Sequence, residues 1–198
     1  MSRVRRASRV AGALFLAAGL LLLPGRGTTR AARAEAPARP VIDEFSLTAA
    51  FVFNFTKFTQ WPGAALADST LPVGVAGSAA LRERLARLLE GREVGGRRLA
   101  VREINDPAEI GACRVLFVAR SQYPRLAEFL RALAGQPVLL IGEGTDFLAR
   151  GGMIQLHLND NRMRFDVNVA AVDSAGLQLS AQVLQLAGRV VGRDERGR

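Results

Sequence analysis

The sequence predicts a single layered α/β domain: a mixed β-sheet flanked by helices, with an antiparallel hairpin and a terminal helix at the C-terminal end. Three observations carry this. Apolar runs of strand length at residues 71–76, 114–119 and 137–141 alternate with amphipathic helical stretches, the order of a layered sheet. Two period-2 segments then flank the polar pair Asp160-Asn161, as in an antiparallel hairpin. The length of 198 residues suits one domain able to bury its own core.

Residues 1–36 stand apart from that domain. Residues 1–10 are basic and free of acids, and residues 11–23 form an apolar run bounded by Pro24 and Gly25. A bilayer-spanning helix needs about 20 apolar residues, so this run is short for a permanent anchor. A basic start, a short apolar stretch and a small-residue exit make the pattern of a secretory signal peptide. The small residues Ala34 and Ala36 place cleavage after Ala36; cleavage after Ala34 and an uncleaved anchor are the alternatives. Residues 37–44 read as a linker, 45–191 as the domain and 192–198 as a polar tail.

Along the domain, residues 45–58 repeat apolar side chains at helical spacing, with Leu47, Phe51, Phe55 and Phe58 on one stripe. Phe45, Val52 and Phe53 widen the stripe, which predicts a heavily buried helix, ended by Trp61-Pro62. After the strand 71–76, Gly77-Ser78 makes a turn, and Ser78 caps a helix over 79–90 with Leu81, Leu85 and Leu88 inward. Residues 97–104 alternate like a strand with one solvated face, broken by Asn105-Asp106-Pro107. The run 114–119 has the continuous apolar character of a strand covered on both faces. A helix over 123–133 follows, with Leu126, Phe129, Leu130 and Leu133 inward and Gly135 closing it, then a strand over 137–141. Residues 153–159 and 162–169 form the hairpin arms, and residues 180–191 a last helix.

Charge and composition exclude several functions. The formal charge is +9, but seven arginines against Glu35 in residues 1–36 supply +6 of it. The remaining +3 over residues 37–198 is no footprint for nucleic acid. Gly74 to Ser78 and Gly142 to Thr145 sit at strand-to-helix junctions, yet neither completes a phosphate-binding glycine pattern, so both read as tight turns. His157 is the single histidine and Cys113 the single cysteine, a poor supply for zinc. His157 reads as an exposed strand histidine, and Cys113 as a small buried group beside an apolar run. No nucleophile elbow is present. The sequence therefore offers no catalytic, cofactor-binding or metal-binding set, and residues beyond the first segment contain no membrane span.

Several short motifs occur in a particular order. Phe53-Asn54-Phe55, Lys57-Phe58 and Trp61-Pro62 come first, followed by Gly-Gly-Met-Ile at 151–154. Asn161, Phe165 and Asn168 mark the hairpin, and Ala175-Gly176-Leu177 leads to Leu184, Leu186 and Ala187. In order and spacing this resembles the YfiR-like family of small exported bacterial proteins, over residues 45–191. The resemblance implies a periplasmic regulator without catalysis, typically a homodimer. It would bind the outer portion of a membrane diguanylate cyclase, hold it inactive and so lower cyclic di-GMP. Internal disulfides known in the family are not carried over, because Cys113 stands alone. Within the first motif, Phe53, Phe55, Phe58 and Trp61 read as core residues. Asn54 and Lys57 lie three apart on one helical side, and are the candidate ligand or partner contacts. The expected docking surface is an apolar patch with a polar rim and no strong charge. The alternative function is an exported small-molecule-binding sensor reporting to a separate kinase or cyclase.

Overall fold

A computed structural model of the chain describes residues 43–63, 68–160 and 162–192. The expected signal peptide, residues 37–42 of the expected linker, Asn161 of the hairpin turn and residues 193–198 of the tail lie outside the described residues.

The first helix, α1 (Glu44–Lys57), begins inside the expected linker because Asp43 caps it: the carboxylate accepts the backbone N–H of Ser46 at 2.9 Å and its hydroxyl at 2.8 Å. Its buried face runs through Thr48, Ala49, Val52, Phe55 and Thr56. This is rotated from the expected stripe, of which only Phe55 is buried while Leu47, Phe51 and Phe58 are half-buried. Small side chains at 48 and 49 share this buried face with Val52 and Phe55, and the larger rings of Phe51, Phe53 and Phe58 flank it. Phe51 and Phe55 meet Phe165 of the hairpin at ring-centre distances of 6.0 and 4.9 Å, favourable aromatic geometry.

Among the described residues, eight strands form the main sheet: β2 (Thr70–Ala76), β3 (Glu93–Val94), β4 (Arg97–Glu103), β5 (Val115–Val118), β6 (Leu139–Glu143), β7 (Ile154–Asn159), β8 (Arg162–Asn168) and β10 (Arg189–Val191). Their order is β10-β8-β7-β6-β5-β2-β4-β3. Pairing is parallel from β4 through β2, β5 and β6 to β7, antiparallel for β7–β8 and β3–β4, and parallel again for β10 on β8. The expected mixed sheet is therefore present. Every residue of β5 is buried, as a central parallel strand requires. A separate two-stranded ribbon pairs β1 (Thr59–Gln60) with β9 (Gln178–Leu179).

Helices flank this sheet. The helix α2 (Ala79–Leu89) is capped by Ser78, whose Oγ accepts the N–H of Leu81 at 3.2 Å, and it buries Leu81, Leu85 and Leu89. The helix expected over 123–133 is α only from Leu126 to Leu133 (α3); residues Arg120–Arg125 form a 3₁₀ turn holding Pro124, whose ring disfavours α geometry before it. Asn168 ends β8 and caps a short helix, α4 (Val169–Ser174), that periodicity does not reveal.

The terminal helix requires correction. It spans only Ala181–Leu186 (α5), and the chain then adds the edge strand β10. Glycine at 188 interrupts helix propensity, and Val190-Val191 favours a strand. Gly188 donates its N–H to the Phe165 carbonyl at 2.8 Å. A Cβ there would stand 3.1 Å from Asp166 Oδ1, so the small residue lets β10 lie down beside β8.

Candidate functional site

The end of α1 gathers the residues of the first sequence motif. Phe55 and Trp61 are buried, as expected, whereas Phe53 and Phe58 are only half-buried. The Trp61 indole donates to the carbonyl of Arg114 at 3.2 Å, joining the chain after α1 to the start of β5. The hydroxyls of Thr56 and Thr59 are spent on the carbonyls of Val52 and Phe55, at 2.8 and 2.7 Å.

Asn54 and Lys57 are both exposed on α1. The Lys57 ammonium lies 5.6 Å from the centre of the Phe53 ring and 5.5 Å from that of Phe58, and the Arg92 guanidinium stands 5.0 Å from Phe53. These distances fall within cation–π range. Among the described residues neither Lys57 nor Arg92 forms an ion pair with an acid.

Lys57 also lines a cavity of about 380 Å³, with Trp61, Leu71 and Val94 as apolar walls, Arg97 as a second cation and no acidic side chain. Asn54 is not among its lining residues. The far wall comes from the β3–β4 hairpin, whose turn is Gly95-Gly96 with φ of 58° and 74°. Positive φ at both central residues is the geometry of a tight hairpin turn. That glycine pair is the one sequence signal for this wall. Arg92 and Arg97 leave no such signal, because they reach the end of α1 only through tertiary folding. The surface combines aromatic rings with the charges of Lys57 and Arg92, which form no ion pair among the described residues. It suits a partner that offers carboxylates.

The remaining candidates resolve otherwise. Gly77, at φ 80°, packs so closely that a Cβ would stand 2.5 Å from Ser121 Oγ; a turn, not a phosphate cradle, explains it. Cys113 is fully buried, and burial pushes its thiol above the ordinary range despite nearby Arg102 and Arg114. A raised thiol contributes little thiolate and is unreactive. His157 is half-buried rather than exposed.

With this geometry established, comparison with known proteins places the chain. A family model described as YfiR/HmsC-like matches residues 45–188. The chain belongs to the YfiR/HmsC-like family. Members of the YfiR/HmsC-like family are periplasmic regulators acting in diguanylate cyclase pathways, regulatory rather than catalytic. Among solved structures, the chain is similar to an ABC domain from Streptococcus pneumonia in complex with L-Trp. The identity is 11%, covering 64% of this chain and 57% of that one, with a TM-score of 0.46. It is also similar to a conserved domain protein from Vibrio cholerae O1 biovar El Tor strain N16961. There the identity is again 11%, covering 74% and 60%, with a TM-score of 0.47. The chain thus spans less than two-thirds of the length of either.

Proposed function

We propose that this YfiR/HmsC-like protein is exported with cleavage after Ala36, and that it represses a membrane-bound diguanylate cyclase by binding the cyclase's periplasmic domain. Family membership over residues 45–188 carries the reading. Among the described residues, no helix is long and apolar enough to cross a membrane, which accords with a partner that supplies the membrane span. An exported protein cannot touch a cytoplasmic catalytic domain. Control must therefore cross the bilayer as a conformational bias, with the repressor binding the inactive form of the outer domain more tightly. Moving a cyclase from almost wholly active to almost wholly inactive needs a differential affinity of about 5.5 kcal/mol, within reach of a standard protein interface. The contact surface in this proposal is the end of α1, where Lys57 and Arg92 lie against the Phe53 ring and Asn54 is exposed on the same helix. A homodimer is part of the same proposal, since two copies would present two such surfaces.

The test is calorimetric titration of the purified protein with the cyclase's periplasmic domain. Wild type should bind. Reversing the charges in a Lys57→Glu, Arg92→Glu variant should weaken binding roughly tenfold to a hundredfold, given about 1.5–3 kcal/mol for a hydrogen bond to a charged group, with thermal stability unchanged. Binding that is absent in wild type would overturn the proposal. Equal binding by the variant would remove this surface from it.

A further inference from the structure

A second cavity, of about 290 Å³, opens at the carboxyl ends of β6 and β7 beside the first turns of α1. Open α/β sheets take ligands outside the carboxyl ends of their strands, so its position already invites one. Its walls carry Glu44 from α1, Glu143 from the end of β6, Arg120 from the segment after β5, and His157 from β7. Leu158 and Met163, from the two arms of the hairpin, add an apolar side.

The charges here are held in place, and Asp146 lies close to them: Arg150 first, and Arg120 more weakly, hold its carboxylate below the ordinary range. Glu143 Oε1 accepts the backbone N–H of Arg120 at 2.8 Å, and the Glu143 carbonyl accepts the Tyr123 hydroxyl, which fixes this carboxylate at the cavity wall. Yet among the described residues Glu44, Glu143 and Arg120 form no ion pair. Gly144, at φ 93°, keeps the space beside the guanidinium clear, since a Cβ there would stand 3.3 Å from Arg120 Nη1. His157 Nδ1 is closed off from solvent and has no hydrogen-bond partner among the described residues, a state that costs stability unless something meets it. Leu158, 49% exposed, is one of few large apolar side chains left open among the described residues.

A simple anion would meet two carboxylates here, and a simple cation would meet the guanidinium. The geometry points to a binding site for a compact zwitterion, an amino acid with a small or medium apolar side chain. Its ammonium group faces Glu44 and Glu143, its carboxylate pairs with Arg120, and its side chain lies against Leu158 and Met163. At about 290 Å³ the cavity sits near the lower end of the range of small-ligand pockets, about 300–1,000 Å³. The site is separate from the end of α1 and stands whether or not that surface binds a cyclase.

Calorimetry on the full protein tests this, after dialysis under denaturant and refolding to remove any carried-over ligand. The probes are L-alanine, L-valine, L-leucine and L-methionine, with N-acetyl-L-leucine and L-leucine methyl ester as the blocked controls. At least one free amino acid should bind with a Kd below about 1 mM, and neither blocked control should bind comparably. Arg120→Ala and Glu143→Gln should each weaken binding about tenfold or more, while Lys57→Glu leaves it unchanged. The NMR signals of the His157 ring should shift on titration, an independent readout should either variant fail to fold. No binding by any free amino acid, equal binding of the blocked leucines, or a His157 ring that stays unmoved during binding would overturn the inference.

Discussion

Asp43 illustrates how one side chain sets where the domain begins. Its carboxylate is held below the ordinary range, first by the backbone N–H of Ser46, then by the Ser46 hydroxyl, with Arg84 adding to the effect against an opposing cost of burial. Arg84 stands 3.2 Å away. A carboxyl depressed in the folded chain adds stability above its unfolded value, about pH 3.9, and loses it as pH falls through the lower folded value. Acid should therefore weaken the N-terminus of α1. Thermal melts of wild type and Asp43→Asn should differ at pH 7 and converge as pH drops below about 4. Curves that stay parallel down to pH 3 would mean that this carboxylate contributes nothing through its charge. Lys57 is the complementary case, a residue whose place is legible from its motif and its helical side. Its neighbours Arg92 and Arg97 are not legible, because only the fold of β3 and β4 brings them to α1.

At the scale of elements, the edge strand β10 depends on a small buried polar group. Gln155 is 1% exposed and Asp166 is 7% exposed. The Gln155 amide donates to Asp166 Oδ2 at 3.0 Å, and its Oε1 accepts the N–H of Leu148 at 3.2 Å. Arg189 of β10 reaches the same Asp166 oxygen at 3.5 Å. Removing the carboxylate leaves a buried amide donor unmet, which costs about 1–3 kcal/mol. Asp166→Ala should lose that much in urea denaturation and should speed amide exchange at Val190 and Val191 ahead of the central strands. A loss under about 0.5 kcal/mol, the range of ordinary surface changes, would contradict this. Elements with their own periodicity, such as the helix 79–90 and the hairpin 153–169, are legible in the sequence. The C-terminal end is not, because Val183, Leu184, Leu186 and Val190 satisfy a helical pattern while Gly188 and the parallel pairing on β8 decide otherwise. The two-residue strands β1, β3 and β9 have no period to detect. In α1 the helical period holds but the inward face differs, since Thr48 and Ala49 weigh less in a hydrophobic pattern than the phenylalanines around them.

For the whole molecule, the modest +3 of residues 37–198 hides a local arrangement. Lys57 and Arg92 gather on the aromatic end of α1, and charges of both signs gather in the cavity at the strand ends. The first arrangement suits a protein partner and the second a small molecule, so a single domain can carry two contacts. The partner contact is the one that matters most to the cell in the proposed function, because it biases a cyclase from outside the membrane. The most direct measurement is cellular cyclic di-GMP in four strains: wild type, a strain lacking this protein, one lacking the cyclase, and one lacking both. Cyclic di-GMP should rise when the protein alone is absent, and should not rise when the cyclase is absent too. An unchanged level in the single deletion, or a rise that persists in the double deletion, would contradict repression of the cyclase.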